Sequence, residues 1–254
     1  MTIFDTHAHY DDPRFASDLD EVLTNLPQKD VCNVINIGCD VDTSKMCLDI
    51  ADKYDYCYAA VGIHPHDAGK AQDGDIDRLR KLAQHPKAVA IGEIGLDYHY
   101  DFAPHEVQID WFERQLALAK ELDMPVVIHE REAVEDCLKV LRNTKDVRGV
   151  LHCYSGSWET AKELLKMGYY LSFTGVLTFK NARRALEVVQ NMPLDRLMVE
   201  TDAPYMAPEP FRGKRCDSTM IRYMLEKIAD LRGITPEEAG EITAANARRF
   251  FGIK

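Results

Sequence analysis

Short apolar, β-branched runs alternate along this chain with amphipathic stretches of helical period. Eight runs can be marked, at 2–6, 31–37, 58–63, 88–94, 125–128, 149–151, 169–173 and 196–199. Their near-continuous apolar character is that of strands covered on both faces. The stretches between them carry apolar residues at helical spacing, as do Val107, Trp111, Leu118 and Leu122 after Pro104, which predicts amphipathic helices. The runs recur at intervals of about 21–36 residues, room for one helix in each crossover. Strand and helix units repeated in this way across 254 residues predict a (β/α)8 TIM barrel of α/β class. An open doubly wound sheet is the alternative. Towards the end, Thr235-Pro236-Glu237-Glu238 reads as an N-cap, a proline at the first helical position and the third-position Glu of a capping box.

Composition adds limits to this picture. No linker, repeat or low-complexity tract interrupts the βα period, so residues 1–254 are expected to form a single domain. The longest apolar stretches fall short of the about 18 residues that cross a bilayer, so no membrane association is expected. The acidic opening residues lack a basic segment and a small-residue cleavage site, which makes a cytoplasmic location the expectation. Seven cysteines without a C-x-x-C pair read as reduced, buried thiols, so a metal would be held by His and carboxylates. The net charge of -11 argues against a broad basic face for polynucleotides. Contact with one would be local.

The candidate chemistry sits where apolar runs stop. His7 and His9 end the first run, and residues two apart on a strand project from one face. Alone, an H-x-H is a weak cue. Glu93, His129, His152 and Asp202 stand at the ends of the fourth, fifth, sixth and eighth runs. In a barrel those ends meet at one mouth, where catalytic groups collect. Satisfied buried polar groups are the bland alternative. Four imidazoles and two carboxylates exceed the ligands of one catalytic ion, so two ions bridged by a carboxylate, Glu93, are the economical arrangement. The same alternation would make Asp5 and Glu200 share the inward faces of His7 and Asp202, one step deeper in the barrel, either orienting imidazoles or as ordinary buried hydrogen-bonding groups.

The segments FDTHAH, GIHPH, GEIGLDYH, VIHERE, LHCYSGS, GVLTFKNA, ETDAPYMAP, RGKR and NARRFFG, in that order over residues 4–252, resemble the successive motifs of the TatD family of metal-dependent deoxyribonucleases, which are amidohydrolase-like. The resemblance implies that His7, His9, Glu93 and Asp202 hold one divalent ion and Glu93, His129 and His152 the other, with Asp202 orienting the attacking water. It implies DNA as the substrate class, with trimming from a 3′ end. The ions would be Mg, Mn, Zn, Fe or Ni. Related amidohydrolases commonly bridge their metals with a carboxylated lysine on the fourth strand, where this chain has Glu93.

Candidates for the substrate's phosphate are His64 and His66 in GIHPH, Arg131 after the fifth run, and Arg212, Lys214 and Arg215 after the eighth. A short basic run is also, equally often, a solvated surface. Cys216-Asp217-Ser218 departs from the family's usual asparagine followed soon by proline, and Asp217 either faces the basic cluster or points away. Tyr98 and Tyr100 offer rings for a nucleobase or for packing. Together these features predict two-metal hydrolysis of phosphodiesters; the resemblance implies DNA and 3′-5′ exonucleolytic trimming, and the acidic balance implies single-stranded ends bound weakly and salt-sensitively, with no obligate protein partner inferred. Hydrolysis of a small phosphate ester, or of a carboxylic ester or amide, is the alternative within enzymes. A metal-containing binding protein without turnover is the alternative outside them.

Overall fold

The computed structural model of the chain describes every residue except 101 and 145. Its strands are β1 (Ile3–Ala8), β2 (Val31–Ile37), β3 (Cys57–Val61), β4 (Ala88–Asp97), β5 (Val126–Arg131), β6 (Gly149–Leu151), β7 (Tyr170–Phe173) and β8 (Leu197–Val199). They form one 8-stranded sheet in sequence order, and every neighbouring pair is parallel. The crossovers hold helices α1 (Leu19–Asn25), α2 (Val41–Lys53), α3 (Asp75–Leu82), α4 (His105–Glu121), α5 (Val134–Asn143), α6 (Trp158–Lys166) and α7 (Arg183–Asn191). Helices α8 (Ile221–Arg232) and α9 (Pro236–Phe251) follow β8. The architecture is the (β/α)8 TIM barrel. Among the described residues no helix is long and apolar enough to cross a membrane.

Closure is made just past the short β8. Asp202 N donates to His7 O (2.8 Å), His9 N donates to Ala203 O (2.7 Å), and Ala8 bridges Ala203 in the parallel sense. The bonds that shut the barrel thus bring His7, His9 and Asp202 side by side. Asp202 takes a φ of 58°, a left-handed conformation that Asp tolerates better than most residues.

Two apolar layers hold the fold. Phe4, Ile35, Ala60, Val127, Val150 and Met198 fill the barrel and meet Phe250 and Phe251 of α9. Phe4 and Phe251 stack with centroids 6.2 Å apart, so α9 closes the amino-terminal end of the barrel. The opposite mouth is left for polar groups. The expected capping box of α9 is present, with Thr235 and Glu238 bonded reciprocally. Strands β4 and β5 run further than their apolar runs because polar ends still pair in register, Gly95 with His129 and Asp97 with Arg131.

Strict alternation fails at two places that matter. In β4, Ala90 belongs to the inner layer, whereas Ile91, Ile94 and Leu96 belong to the outer one. A register irregularity between Ile91 and Ile94 spans Gly92, whose φ is 151°, and turns Glu93 into the mouth. In β1 an irregularity between Asp5 and Ala8 separates the faces of Asp5 and His7. The expectation that Asp5 shares the inward face of His7 is therefore corrected. Its Oδ2 accepts from Ser218 Oγ and Thr201 Oγ1, both at 2.6 Å.

Candidate metal centre

Six strand-end side chains converge in the mouth. Glu93 lies at the middle, with Oε1 at 2.8 Å from His129 Nδ1 and 2.8 Å from His152 Nε2. Its Oε2 is 3.3 Å from His7 Nε2 and 3.8 Å from His9 Nε2. On the far side, Asp202 Oδ1 is 3.5 Å from His9 Nε2 and 3.7 Å from His7 Nε2. The potential metal donors overlap, and Glu93 belongs to three of the groups found among the described residues: with His7 and His152, with His9 and Cys39, and with His64 and His129, while His7, His9 and Asp202 form another.

The outer hydrogen bonds fix which nitrogens point inward. His9 Nδ1 donates to the Ile37 carbonyl (2.9 Å), an acceptor only, which leaves the Nε2 lone pair facing His7 Nε2 at 3.1 Å. His129 Nε2 donates to Asp97 Oδ2 (3.0 Å), so its Nδ1 lone pair faces the mouth. His152 Nδ1 donates to Glu200 Oε1 (3.2 Å), so its Nε2 faces the mouth. With both rings neutral, lone pairs on His129 Nδ1 and His152 Nε2 lie 3.2 Å apart against a carboxylate oxygen. Acceptors crowded at that distance repel unless a proton or a cation lies between them. His7 Nδ1 is buried without a hydrogen-bond partner among the described residues. This donor set of imidazole nitrogen and carboxylate oxygen, held by carbonyl and carboxylate partners behind it, fits divalent metal ions.

Charge follows the same geometry. Burial pushes the Glu93 carboxyl up, but His152, His64 and His7 outweigh it and hold the group well below the ordinary carboxylate range. Burial likewise opposes ionisation of Asp202, which His9, His7 and His152 overcome. Glu93 and Glu200 raise His152 well above a free imidazole in spite of its burial. Burial takes His64 down to about 4. The site keeps its carboxylates anionic inside a protein interior, as cation ligands must be.

The candidates for phosphate contact divide. His64 is inside the cluster, with Nε2 3.5 Å from Glu93 Oε1, and with Glu93 and His129 it forms a further group of potential metal donors. His66 Nε2 donates to Asp97 Oδ2 at 2.9 Å. Arg131 ends β5 with its guanidinium carbon 4.7 Å from the centroid of Tyr100. The basic cluster after β8 does not converge on the ligands. Arg215 is engaged by both oxygens of Asp18 and by the Arg14 carbonyl, Arg212 lies over Phe179 and Lys214 beside Phe211. Asp217 caps the turn that follows, its Oδ1 accepting from Thr219 N and Oγ1, and its charge still acts on Arg215. Ser218 is buried and bonded to Tyr10 and Asp5, which ties the departing loop into the wall under His7.

Two residues at the site were absent from the sequence reading. Asp97 holds His66 and His129 through Oδ2 and accepts from His99 N and Tyr100 N through Oδ1. Its cue was available, because it ends the β4 run and shares the pleat face of Glu93 two steps back through Gly95. Cys39 Sγ lies 3.9 Å from His9 Nδ1 and is grouped with His9 and Glu93. Burial raises its thiol pKa and so favours the neutral form, a poor ligand. All seven cysteines are free, but Cys32, Cys39 and Cys153 are only half-buried.

Residues 4–252 match the family described as TatD related DNase. The chain is 44% identical over 253 residues to the uncharacterized metal-dependent hydrolase YabD of Bacillus subtilis, covering 99% of each chain. It is 35% identical to the 3'-5' ssDNA/RNA exonuclease TatD of Erwinia tasmaniensis, covering 99% of this chain and all of that one. Among solved structures it is similar to the TatD homolog YjjV of Escherichia coli, with a TM-score of 0.93, 29% identity and coverage of 99% and 98%.

Proposed function

Since the chain belongs to the TatD-related DNase family of metal-dependent hydrolases acting on ester bonds, we propose that it cleaves phosphodiesters at a two-metal centre, removing nucleotides from the 3′ ends of single strands. One observation carries this reading. The two oxygens of Glu93 face different imidazole groups, Oε1 at 2.8 Å from His129 and His152 and Oε2 at 3.3 Å from His7. His7, His9, Glu93 and Asp202 would hold one ion, and Glu93, His129 and His152 the other. The four imidazoles favour a transition metal such as Zn, Mn, Fe or Ni over Mg. Divalent ions held by these residues would supply a lowered pKa for bound water and countercharge for the phosphoryl oxygens.

The remaining steps belong to the chain's own side chains. Asp202, kept anionic by His9 and His7, accepts the proton of the attacking water. Glu200 and Asp97 keep the imidazoles aimed. His64, His66 and Arg131 receive the substrate's phosphate, while Arg212, Lys214 and Arg215 attract it only from outside the ligand group. Residues 1–254 act as one catalytic unit, and the seven free thiols suit a reducing, cytoplasmic compartment.

The test is a substrate panel with protein reconstituted in each metal: a single-stranded oligonucleotide, a small phosphodiester, and lactones and amides. We expect shortening of the oligonucleotide from its 3′ end. Asp202→Asn should lower kcat by about 10²–10⁴-fold with metal still bound. Activity confined to lactones or amides would sink the nuclease reading, and an unimpaired Asp202→Asn would remove its proton acceptor.

A further inference from the structure

Large apolar side chains left in water are concentrated around the mouth. All those exposed among the described residues, apart from Met46, follow β4, β5 or β8: Tyr100, Phe102, Val134, Tyr205 and Met206. Phe102 is 65% exposed and Tyr100 49%. Their rings stack with centroids 5.5 Å apart and planes within 5°. His66 stands edge-on to both, 5.3 Å from Tyr100 and 4.9 Å from Phe102. The same imidazole shares Asp97 with His129, so this pair of rings lies one side chain away from the proposed metal ligands. Tyr98 takes no part, for it stacks on His105 at 3.6 Å and donates to Asp136.

A chain that buries six of its other phenylalanines and half-buries Phe179 and Phe211 gains nothing in stability by leaving Phe102 in water. The exposed face suits a flat partner. Two rings are far too small an area for a stable protein interface, and a net charge of -11 repels an anionic membrane surface. A nucleobase fits the area, the planarity and the neighbouring cation, since Arg131 braces Tyr100 from 4.7 Å. The terminal base of a strand has lost one stacking neighbour, which a protein ring can replace.

Resting on the nuclease reading, we infer that Tyr100 and Phe102 form a stacking subsite for the base of the 3′-terminal nucleotide. Stacking accepts every base, so this subsite selects for the presence of a base and not for its identity. The experiment compares an oligonucleotide ending in an ordinary nucleotide with one ending in an abasic residue. Phe102→Leu should raise KM about tenfold for the first and leave the second unchanged, while Phe102→Trp should keep the wild-type value. In metal-loaded Asp202→Asn protein, 2-aminopurine at the 3′ end should be quenched on binding, and Phe102→Leu should relieve the quenching.

Equal effects of Phe102→Leu on both oligonucleotides, or no effect on either, would overturn the subsite while the nuclease reading stands. A changed sedimentation behaviour of Phe102→Leu with unchanged kinetics would give the rings to a second copy of the chain instead. Wild-type protein inert on both oligonucleotides would remove the nuclease reading and the subsite with it.

Discussion

At the residue scale, the proposed metal ligands owe their aim to groups behind them. Asp97 illustrates the point, because one buried carboxylate accepts from two imidazoles and two backbone amides. Replacing it with Asn removes the charge and sets an N–H donor against both imidazoles where Nδ2 takes the place of Oδ2, or against both backbone amides where it takes that of Oδ1. Asp97→Asn should weaken metal binding about 10–100-fold, read by metal titration; affinity within twofold of wild type would show that His129 needs no such support. The meeting of His7, His9, Glu93, His129, His152 and Asp202 in one mouth was legible in the sequence because apolar strand ends rarely carry ionisable groups without a reason. Arg215 was not, since its partner Asp18 lies far away in sequence and only the closed fold joins them. Asp5 misled because the rule of alternate faces holds only for an unbroken ladder.

That ladder is an element-scale matter. The eight strands were legible as apolar runs, and alternation carries correctly through β5 from Val127 to His129 and through β6 from Val150 to His152. It breaks in β1 and β4, where pairing irregularities reset the faces, and no hydropathy pattern records a bulge. Glycines mark the break in β4. Gly95 has a φ of 137°, and a Cβ there would collide with the backbone carbonyl of its pairing partner His129. Gly95→Ala should therefore cost roughly 2–4 kcal/mol and displace His129. Gly168 has a φ of 90° with nothing within 4 Å of a Cβ, so Gly168→Ala should cost only about 1–2 kcal/mol, the conformational part alone. Denaturant midpoints compare the two, and equal losses would mean that contact with His129 is not what Gly95 avoids.

For the whole molecule, the barrel explains how residues 7 and 202 become neighbours, while charge decides how a polyanion is met. The chain carries 31 basic and 42 acidic residues, and the cations flanking the mouth are partly spent within it. Arg14 is paired with Asp12 and Arg215 with Asp18. A basic nuclease gains affinity with every phosphate that its surface neutralises, and loses it steeply with salt. Here, phosphates beyond the mouth meet a surface of their own sign, screened only over a Debye length of about 10 Å at 0.1 M salt. Binding energy must then come from the last nucleotides, through the ions and the stacked rings. With about two phosphates neutralised by side chains, the slope of log affinity against log salt should be no steeper than about -1.4 on single strands. KM should stay flat as the oligonucleotide is lengthened from about five to about thirty nucleotides at low salt, because added phosphates find no partners. A KM that falls steadily with length, together with a slope beyond about -3, would mean that four or more phosphates are gripped, and would place a polynucleotide track on this surface in spite of its net charge.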